Sequence, residues 1–396
     1  MIPKAHVLAV ATERKLRPTT IEKDYALGWL LRSIAEHPTL SRWVFKGGTC
    51  LKKCFFETYR FSEDLDFTIP KDVALDVDGI SKGLIEVVEW IEARSGLRFP
   101  RADWKVEEYP NPRGNPSYQA KVAFVGPLNM PRSTMQRIKF DLTNDEHIAD
   151  VPKPRDVHHG YADAAQPPAK VLCYSVQEIL AEKTRALVER QGRARDVYDL
   201  VHIGRNFRDA IDATVARRVV VEKFAFKKLP LPTVDGILGA IDRDSLAVNW
   251  EQQLAHQLPN LPPIDGFVDE LREAIAWWLE PGLAAPALQP MPAAKGTAEP
   301  RMFFPARRWN DRTSSLDAVR YAARNRVLVE FTYKGAVRVV EPYSIRHPAT
   351  GSVLLHAWEV TKNGAPTNAH RSYELAGISG ASATSTSFAA RWIVEL

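Results

Sequence analysis

The sequence of 396 residues contains no run of about 18 apolar residues, so it offers no segment expected to cross a membrane as a helix. Its start, Met1-Ile2-Pro3-Lys4, leads into only a few apolar positions before Glu13, Arg14 and Lys15, too few for the apolar centre of a secretory signal. Cysteine is scarce: there are three, an odd number, which speaks against a disulfide framework and for a reducing cytoplasm. Cys50 and Cys54 lie four apart, as on one helix face, but no His or second Cys pair stands near them. A structural zinc is therefore not expected, and the cysteines read as small core residues. Charge of one sign is also modest, at a net +5. It is local: residues 301–346 carry ten Lys/Arg against four Asp/Glu, and the remaining residues sum to −1. Such a segment suits a polyanion, and equally a solvated basic face. With 45% hydrophobic and 26% charged residues, wholesale disorder and a fibrous chain are excluded.

What is present divides the chain. Pro281 to Pro300 holds five Pro and six Ala in 20 residues and reads as a semi-rigid linker. The division expected is a core at 1–168, a helical lobe at 169–280, a linker at 281–310 and a β-rich module at 311–396. The first 35 residues read as helical, with a capped start at Thr19-Thr20-Ile21-Glu22 and apolar Tyr25, Ala26, Trp29, Leu30 and Ile34 at helical spacing. Trp43-Val44-Phe45 and Leu65–Ile69 read as strands, Cys50–Tyr59 and 80–95 as helices. Trp104–Tyr109, Tyr118–Val125 and Arg137–Leu142 alternate like strands of an antiparallel sheet. Residues 151–169 are Pro-rich and read as a loop, and 175–280 as mostly helical. Beyond the linker, Leu316–Asn325 reads as a helix. Val327–Tyr333 and Val337–Glu341 read as a hairpin around Lys334-Gly335, with further strands at Val353–Val360 and Ala369–Leu375.

The sharpest chemical signal is Phe61-Ser62-Glu63-Asp64-Leu65-Asp66-Phe67. On a strand, residues two apart share a face, so Asp64 and Asp66 point one way and Leu65 and Phe67 the other. Adjacent carboxylates raise one another's pKa, and a divalent cation removes that penalty; hard oxygen ligands suit Mg²⁺ better than zinc. In Ile138-Lys139-Phe140-Asp141-Leu142 the apolar positions share one face and Lys139 and Asp141 the other. Were this strand a neighbour of the first, three carboxylates would converge. Such a patch can hold two metals about 3.5–4 Å apart for an in-line phosphoryl-type displacement. Upstream, Lys46-Gly47-Gly48-Thr49 sits between a strand and a helix start, where glycines let backbone approach a phosphate and Thr49 adds a hydroxyl.

Later features stay open between two readings. Lys183 falls on the inward stripe of Val176, Ile179, Leu180 and Leu187, either as a cation for a triphosphate or as a packed stem with an escaping head. Asp196 and Asp199, three apart, are either site acids or members of an ion-pair lattice with Arg193, Arg195 and Lys183. His158-His159-Gly160 reads as a solvated loop rather than a metal site, and Trp277-Trp278 as a packing anchor at the end of the helical region.

The runs Ile21-Glu22-Lys23-Asp24-Tyr25, Phe45-Lys46-Gly47-Gly48-Thr49-Cys50-Leu51 and Arg60-Phe61-Ser62-Glu63-Asp64-Leu65-Asp66-Phe67 resemble the AbiEii/AbiGii toxin family. Lys139-Phe140-Asp141, Glu178 to Lys183 and Arg195 to Leu200 continue the pattern in the family's order, over roughly residues 15–210. The resemblance implies an α+β fold: a DNA-polymerase-β-like nucleotidyltransferase core, a mixed sheet with helices, followed by a helical lobe. It also implies a toxin of a type IV toxin–antitoxin or abortive-infection system, with a cognate antitoxin, that transfers nucleotides from NTP to RNA, tRNA ends among the targets. The metal set implied is Asp64, Asp66 and Asp141. The catalytic set adds Lys183 and Asp196, with Asp199 as a further acid. The nucleotide-binding set is Lys46, Gly47, Gly48, Thr49, Arg60, Ser62 and Lys183. At the C-terminus, Ala318 to Arg326, Phe331-Thr332-Tyr333, Arg338 to Tyr343 and His370-Arg371-Ser372-Tyr373 resemble a WYL domain, a small Sm- or SH3-like barrel, with Val353-Leu354-Leu355 where the Trp-Tyr-Leu signature would stand.

The expectation is thus a cytoplasmic, Mg²⁺-dependent enzyme transferring NMP from NTP to an RNA hydroxyl, with the 3′ end of tRNA as target. Two alternatives stand beside it. One is a nucleotidyltransferase acting on a protein or small-molecule hydroxyl. The other is a non-catalytic regulator that senses nucleotides and binds nucleic acid.

Overall fold

The computed structural model describes residues 1–56, 60–286, 288–292, 314–346 and 352–396. Much of the expected linker, and the end of the helix expected over Cys50–Tyr59, lie outside the described residues. In chain order the larger elements are α1 (Lys4–Glu13), α2 (Pro18–Glu36), β1 (Val44–Lys46), α3 (Gly47–Cys50), β2 (Asp64–Thr68), α4 (Val77–Ser95), β3 (Lys105–Pro110), β4 (Pro116–Ala123), β5 (Arg137–Thr143), β6 (Lys153–Asp156) and β7 (Lys170–Cys173). There follow α5 (Val176–Glu189), α6 (Ala194–Asn206), α7 (Ala213–Phe226), α8 (Val234–Gly239), α9 (Arg243–Leu254), α10 (Asp265–Leu279), α11 (Ser314–Asn325) and β8 (Val327–Tyr333). The chain ends with β9 (Ala336–Arg346), β10 (Leu354–Lys362), β11 (Ala365–Glu374) and β12 (Ile378–Ser387). Among the described residues no helix is long and apolar enough to cross a membrane.

The chain packs as two compact units, Met1–Arg185 with Val215–Leu231 and His256–Pro259, and Ala186–Thr214 with Pro232–Ala255 and Asn260–Leu396. The first unit is built on a seven-stranded mixed sheet in the order β3-β4-β5-β2-β1-β7-β6. β3, β4 and β5 run antiparallel as the alternation predicts, but β2 pairs parallel with β5 and β1 parallel with β7. β7 lies past the boundary expected at 168 and yet sits inside this sheet, so the first unit runs on into α5. The Pro-rich stretch 151–169 is not all loop, since it contains β6. That strand is an edge, where Pro154 removes no ladder bond, and it buries nothing, so its sequence shows no strand alternation.

Local chemistry explains the helices. α4 starts at Asp76, whose carboxylate accepts from the Gly79 amide at 2.7 Å, and ends at Gly96 with φ +78°. Its Ile80, Leu84, Val87, Val88 and Ile91 are buried as their spacing predicts. α2 departs from expectation at its start: it begins on Pro18, whose missing amide is harmless there, and Arg17 supplies no side-chain cap. After α3 the backbone widens into a π-turn over Leu51–Phe55, shorter than the helix predicted.

The second unit joins helices to a five-stranded antiparallel sheet, β11-β10-β9-β8-β12. The predicted β8–β9 turn is present: Lys334 and Gly335 both have positive φ, as a two-residue turn of type I′ requires. Asn363-Gly364 does the same between β10 and β11. β12 (ISGASATSTS) went unpredicted because its side chains are small and lack apolar alternation; it pairs with β8 at the sheet edge. Val319 and Ala322 of α11 pack with Val329, Phe331, Val340, Leu355 and Tyr373. Tyr198 of α6 donates to Asn325 at 2.9 Å, and Arg205 grips Glu270 with two bonds while donating to the Asn325 carbonyl. Helices of the region expected as a separate lobe thus share a unit with the C-terminal sheet.

Candidate active site

The site grows from strand pairing. In β2, Leu65 and Phe67 are buried and Asp64 and Asp66 take the other face. In β5, Ile138, Phe140 and Leu142 are buried, leaving Lys139 and Asp141 opposite. The two strands pair so that Asp66 stands directly across from Asp141 and Asp64 across from Lys139. On the outer sides, Lys46 of β1 pairs with Asp66, and Gln119 of β4 with Asp141. A single cross-strand row therefore reads Gln119, Asp141, Asp66, Lys46, and directly opposed residues share a face. Phe45 and Phe67, with ring centroids 5.1 Å apart, anchor the reverse side in the core.

The electrostatics follow from that row. Burial, then the neighbouring Asp141 and Asp64 carboxylates, push Asp66 up to about 7. Asp141 is balanced locally, with Lys139 Nζ at 2.7 Å from one oxygen and Gln119 Nε2 donating to the other at 3.2 Å. Lys46 Nζ lies 3.2 Å from Glu182 Oε1 of α5. Burial opposes the Lys46 charge, but Glu182 and Glu146 outweigh it and hold the ammonium's pKa above its usual value. Glu182 also meets Lys223 at 3.4 Å, and Lys223 lies 2.7 Å from Glu178, both fully buried.

The glycine turn lies against the acids. Gly47 has φ +78°, and a Cβ built on it would fall 2.3 Å from Asp66 Oδ2. A Cβ on Gly48 would fall 2.6 Å from Arg60 Nη2 and 3.2 Å from Ser62 Oγ. Thr49 is fully buried and its hydroxyl donates to the Asp64 carbonyl at 2.5 Å, so it fastens the turn to β2 instead of facing outward as a phosphate donor. Arg60 is also buried; it donates to Gln257 Oε1 at 2.6 Å and to the Phe61 carbonyl, bracing the turn from behind.

Behind this layer the run Glu22 to Tyr25 ties loops together. Glu22 accepts from the Leu128 amide at 2.6 Å and from Gln136 at 2.8 Å. Lys23 pairs with Glu63, next to Asp64, at 3.0 Å. Asp24 pairs with Lys53 at 2.9 Å and accepts from Tyr161; against the cost of burial, Lys53 and Lys52 hold its carboxyl well below the usual range. His158 and His159 are not in a solvated loop. His158 is pushed down to about 3 by burial and the nearby lysines, and His159 packs between Tyr25 and Tyr161 with Asp163 at 3.3 Å.

Of the residues singled out from sequence, Lys46, Gly47, Gly48, Thr49, Arg60, Ser62, Asp64, Asp66 and Asp141 come together in the first unit. Lys183 is buried on α5, next in sequence to Glu182. Asp196 and Asp199 belong to the second unit, where Asp196 has Arg190 at 3.9 Å and Asp199 lies buried near enough to act on His202. Sequence reasoning missed Glu182, Lys223 and Gln119. The i,i+4 pair Glu178 and Glu182 on a buried stripe was a usable signal; Lys223, 41 positions on, left none.

The acid set fits a divalent cation by the chemistry of its donors: carboxylate oxygens on adjacent strands, one of them, on Asp66, pushed up to about 7 by burial and by its two carboxylate neighbours, a penalty that a bound cation relieves. A family model described as "Nucleotidyl transferase AbiEii toxin, Type IV TA system" matches residues 29–281. Among solved structures the chain is similar to MenT4, a nucleotidyltransferase toxin from Mycobacterium tuberculosis H37Rv. The TM-score is 0.50 and the identity 22%, over 71% of this chain and 90% of that one. A search of curated proteins by sequence returns no match.

Proposed function

This chain belongs to the AbiEii family of nucleotidyltransferase toxins, and from that premise we propose that it transfers NMP from an NTP to an RNA hydroxyl, the 3′ end of tRNA, with Mg²⁺ as its metal. Nucleotidyltransferases of this kind generally use NTP and a divalent metal, and a type IV system implies a cognate antitoxin. Mg²⁺, the RNA acceptor, a cytoplasmic site of action and a WYL-like role for the C-terminal sheet are part of the proposal.

One observation carries the reading: Asp66 stands across from Asp141, with Asp64 on the same face, against a glycine turn whose Gly47 leaves room for the Asp66 carboxylate. Asp64, Asp66 and Asp141 would hold the metal, which when bound supplies charge neutralisation for the departing pyrophosphate and lowers the pKa of the attacking hydroxyl. The chain's own residues position the rest. Gly47 and Gly48 let backbone approach the triphosphate, and Lys46 and Lys183 supply positive charge, Lys46 being held in its charged form by Glu182. Arg60, Ser62 and Thr49 keep the turn in place. The acceptor hydroxyl gives up its proton to water, its oxygen forms a bond to the α-phosphorus, the bond from that phosphorus to the bridging oxygen breaks, and pyrophosphate leaves. Positioning and charge account for such a reaction.

The test is incubation of the full chain with labelled NTP and total tRNA, followed by sequencing of the RNA 3′ ends. Label on tRNA ends, lost in Asp64→Ala and Asp66→Ala variants that remain folded by circular dichroism, is the expected result. Label on protein or metabolites instead of RNA would transfer the proposal to another acceptor. Full activity of either variant would overturn the acid assignment.

A further inference from the structure

All three cysteines of the chain meet at one place. Cys50 and Cys54 come from the turn of helix that follows the glycines, and Cys173 from the end of β7, more than a hundred residues later. Their sulfurs all lie within 4.8 Å of one another. Among the described residues no other trio of His, Cys, Asp or Glu side chains brings its ligand atoms so close. The expectation that these cysteines merely fill the core accounts for Cys50 and Cys173, which are buried, but not for the convergence of every thiol in the chain, nor for Cys54, which keeps partial solvent access.

The chemistry of three convergent thiols is specific. A metal bound by thiolates at about 2.3 Å sets sulfurs roughly 3.8 Å apart, within about 1 Å of the observed limit. Soft thiolate sets select Zn²⁺ and Cu⁺ over the hard cations suited to Asp64 and Asp66. Burial pushes the Cys50 and Cys54 thiols well up, while hydrogen bonds from those two thiols pull Cys173 down to about 5. Lys53 near Cys54 and Arg155 near Cys173 add smaller favourable charge, and the bound cation itself has to supply the rest. Arg155 lies over the Phe55 ring, 4.7 Å from its centroid, beside the same turn.

We infer that Cys50, Cys54 and Cys173 form a binding site for one thiophilic metal ion, Zn²⁺ or Cu⁺, separate from the acidic site. On binding, each metal–sulfur bond replaces an S–H bond whose proton leaves to water, and no electron is transferred. Cu⁺ is complete with three thiolates; Zn²⁺ takes water as its fourth ligand on the side where Cys54 is accessible. Because Cys50 follows Thr49 directly and Cys173 pairs across from Phe45, the filled site cross-links β7 to the turn that carries Gly48. The site thereby stabilises the framework of the glycine turn without touching nucleotide.

The experiment uses the full chain, reduced and desalted under argon. Co²⁺ is titrated first as a spectroscopic stand-in, then displaced by Zn²⁺; a parallel arm titrates Cu⁺ against a chromogenic chelator. The expected result is an intense thiolate-to-cobalt charge-transfer band that saturates at one ion per chain and is bleached by Zn²⁺. The melting temperature should rise when the site fills. Cys54→Ser and Cys173→Ser should each abolish the band and the thermal shift, while Asp66→Asn retains both. Cys54, the least buried of the three, is the substitution least apt to disturb folding, and circular dichroism checks each variant. Absence of a band and of Cu⁺ binding in wild-type protein whose three thiols react after denaturation would overturn the inference. So would a band that survives Cys173→Ser.

Discussion

Gly47 and Asp66 compete for the same space: the position a Cβ would take on Gly47 lies 2.3 Å from Asp66 Oδ2, on a residue whose φ is +78°. Glycine is needed there twice over, for the left-handed backbone and for the close approach. Gly47→Ala should cost about 1–2 kcal/mol for the backbone and displace the carboxylate. Misplacement by an ångström can cost about a hundredfold in rate, so a loss of at least that order in nucleotidyl transfer is expected. Gly114 is the control. Its φ is +80° and nothing lies within 4 Å of its Cβ position, so Gly114→Ala should carry the backbone cost and leave activity intact. Equal loss of activity in both variants would show that strain, not the contact with Asp66, is responsible.

A second prediction concerns pH. Asp66 is raised to about 7 in the folded protein, against an ordinary value near 3.8. Between those values the folded chain keeps a proton that the unfolded chain has released. The group's contribution to stability is therefore full below about pH 4 and is lost as pH rises toward 7. Asp66→Asn has no such loss. Thermal melts without divalent cations should find the variant's advantage over wild type larger at pH 8 than at pH 5. Mg²⁺ at pH 8 should shrink that advantage by stabilising wild type alone. A margin that ignores both pH and Mg²⁺ would mean Asp66 ionises freely.

How far the sequence revealed this site depends on the range of each signal. The alternation around Asp64 and Asp66 and around Asp141 lies within five residues, so the faces of β2 and β5 were legible, as were the β8–β9 turn and the buried stripe of α4. That the two acid strands pair in parallel was not, because register is decided by long-range packing that no local pattern records. The same limit hid Cys173 from Cys50 and Lys223 from Glu178. Thr49 shows a different limit. Its hydroxyl suited a phosphate by type, but the fold turned it inward to the Asp64 carbonyl. The edge strands β6 and β12 escaped notice because an edge need not bury a face.

The pair Lys223 and Glu178 predicts a large stability effect. Both are fully buried, 2.7 Å apart, and Glu178 also accepts from the amides of Ala149 and Asp150. Lys223→Met removes one charge and leaves the other buried, a change that typically costs about 3–5 kcal/mol. Adding Glu178→Gln to the same chain removes the orphaned charge. Urea denaturation of the single and double variants should find the double variant destabilised by clearly less than the sum of the two singles. Additive losses would mean that the two charges do not depend on each other.

The last prediction lies in the C-terminal sheet. Glu359 of β10 is buried, accepts from the Tyr373 hydroxyl at 2.5 Å and pairs with Arg338 at 2.7 Å. Burial alone would raise its pKa, but Tyr373 and Arg338 prevail and hold the carboxyl below its usual value. Tyr373→Phe keeps the ring, whose neighbours Phe331 and Tyr333 stand at 5.1 and 5.2 Å, and deletes only the bond to the charge. Hydrogen bonds to charged groups contribute about 1.5–3 kcal/mol, and that is the loss expected at pH 7. A carboxyl with a depressed folded pKa contributes stability above its ordinary value and loses it as pH falls through the folded one. Wild type and Tyr373→Phe should therefore converge in denaturant midpoint as the pH is lowered through that range. A difference that stays constant into acid would assign the loss to packing around the ring instead of to the charge on Glu359.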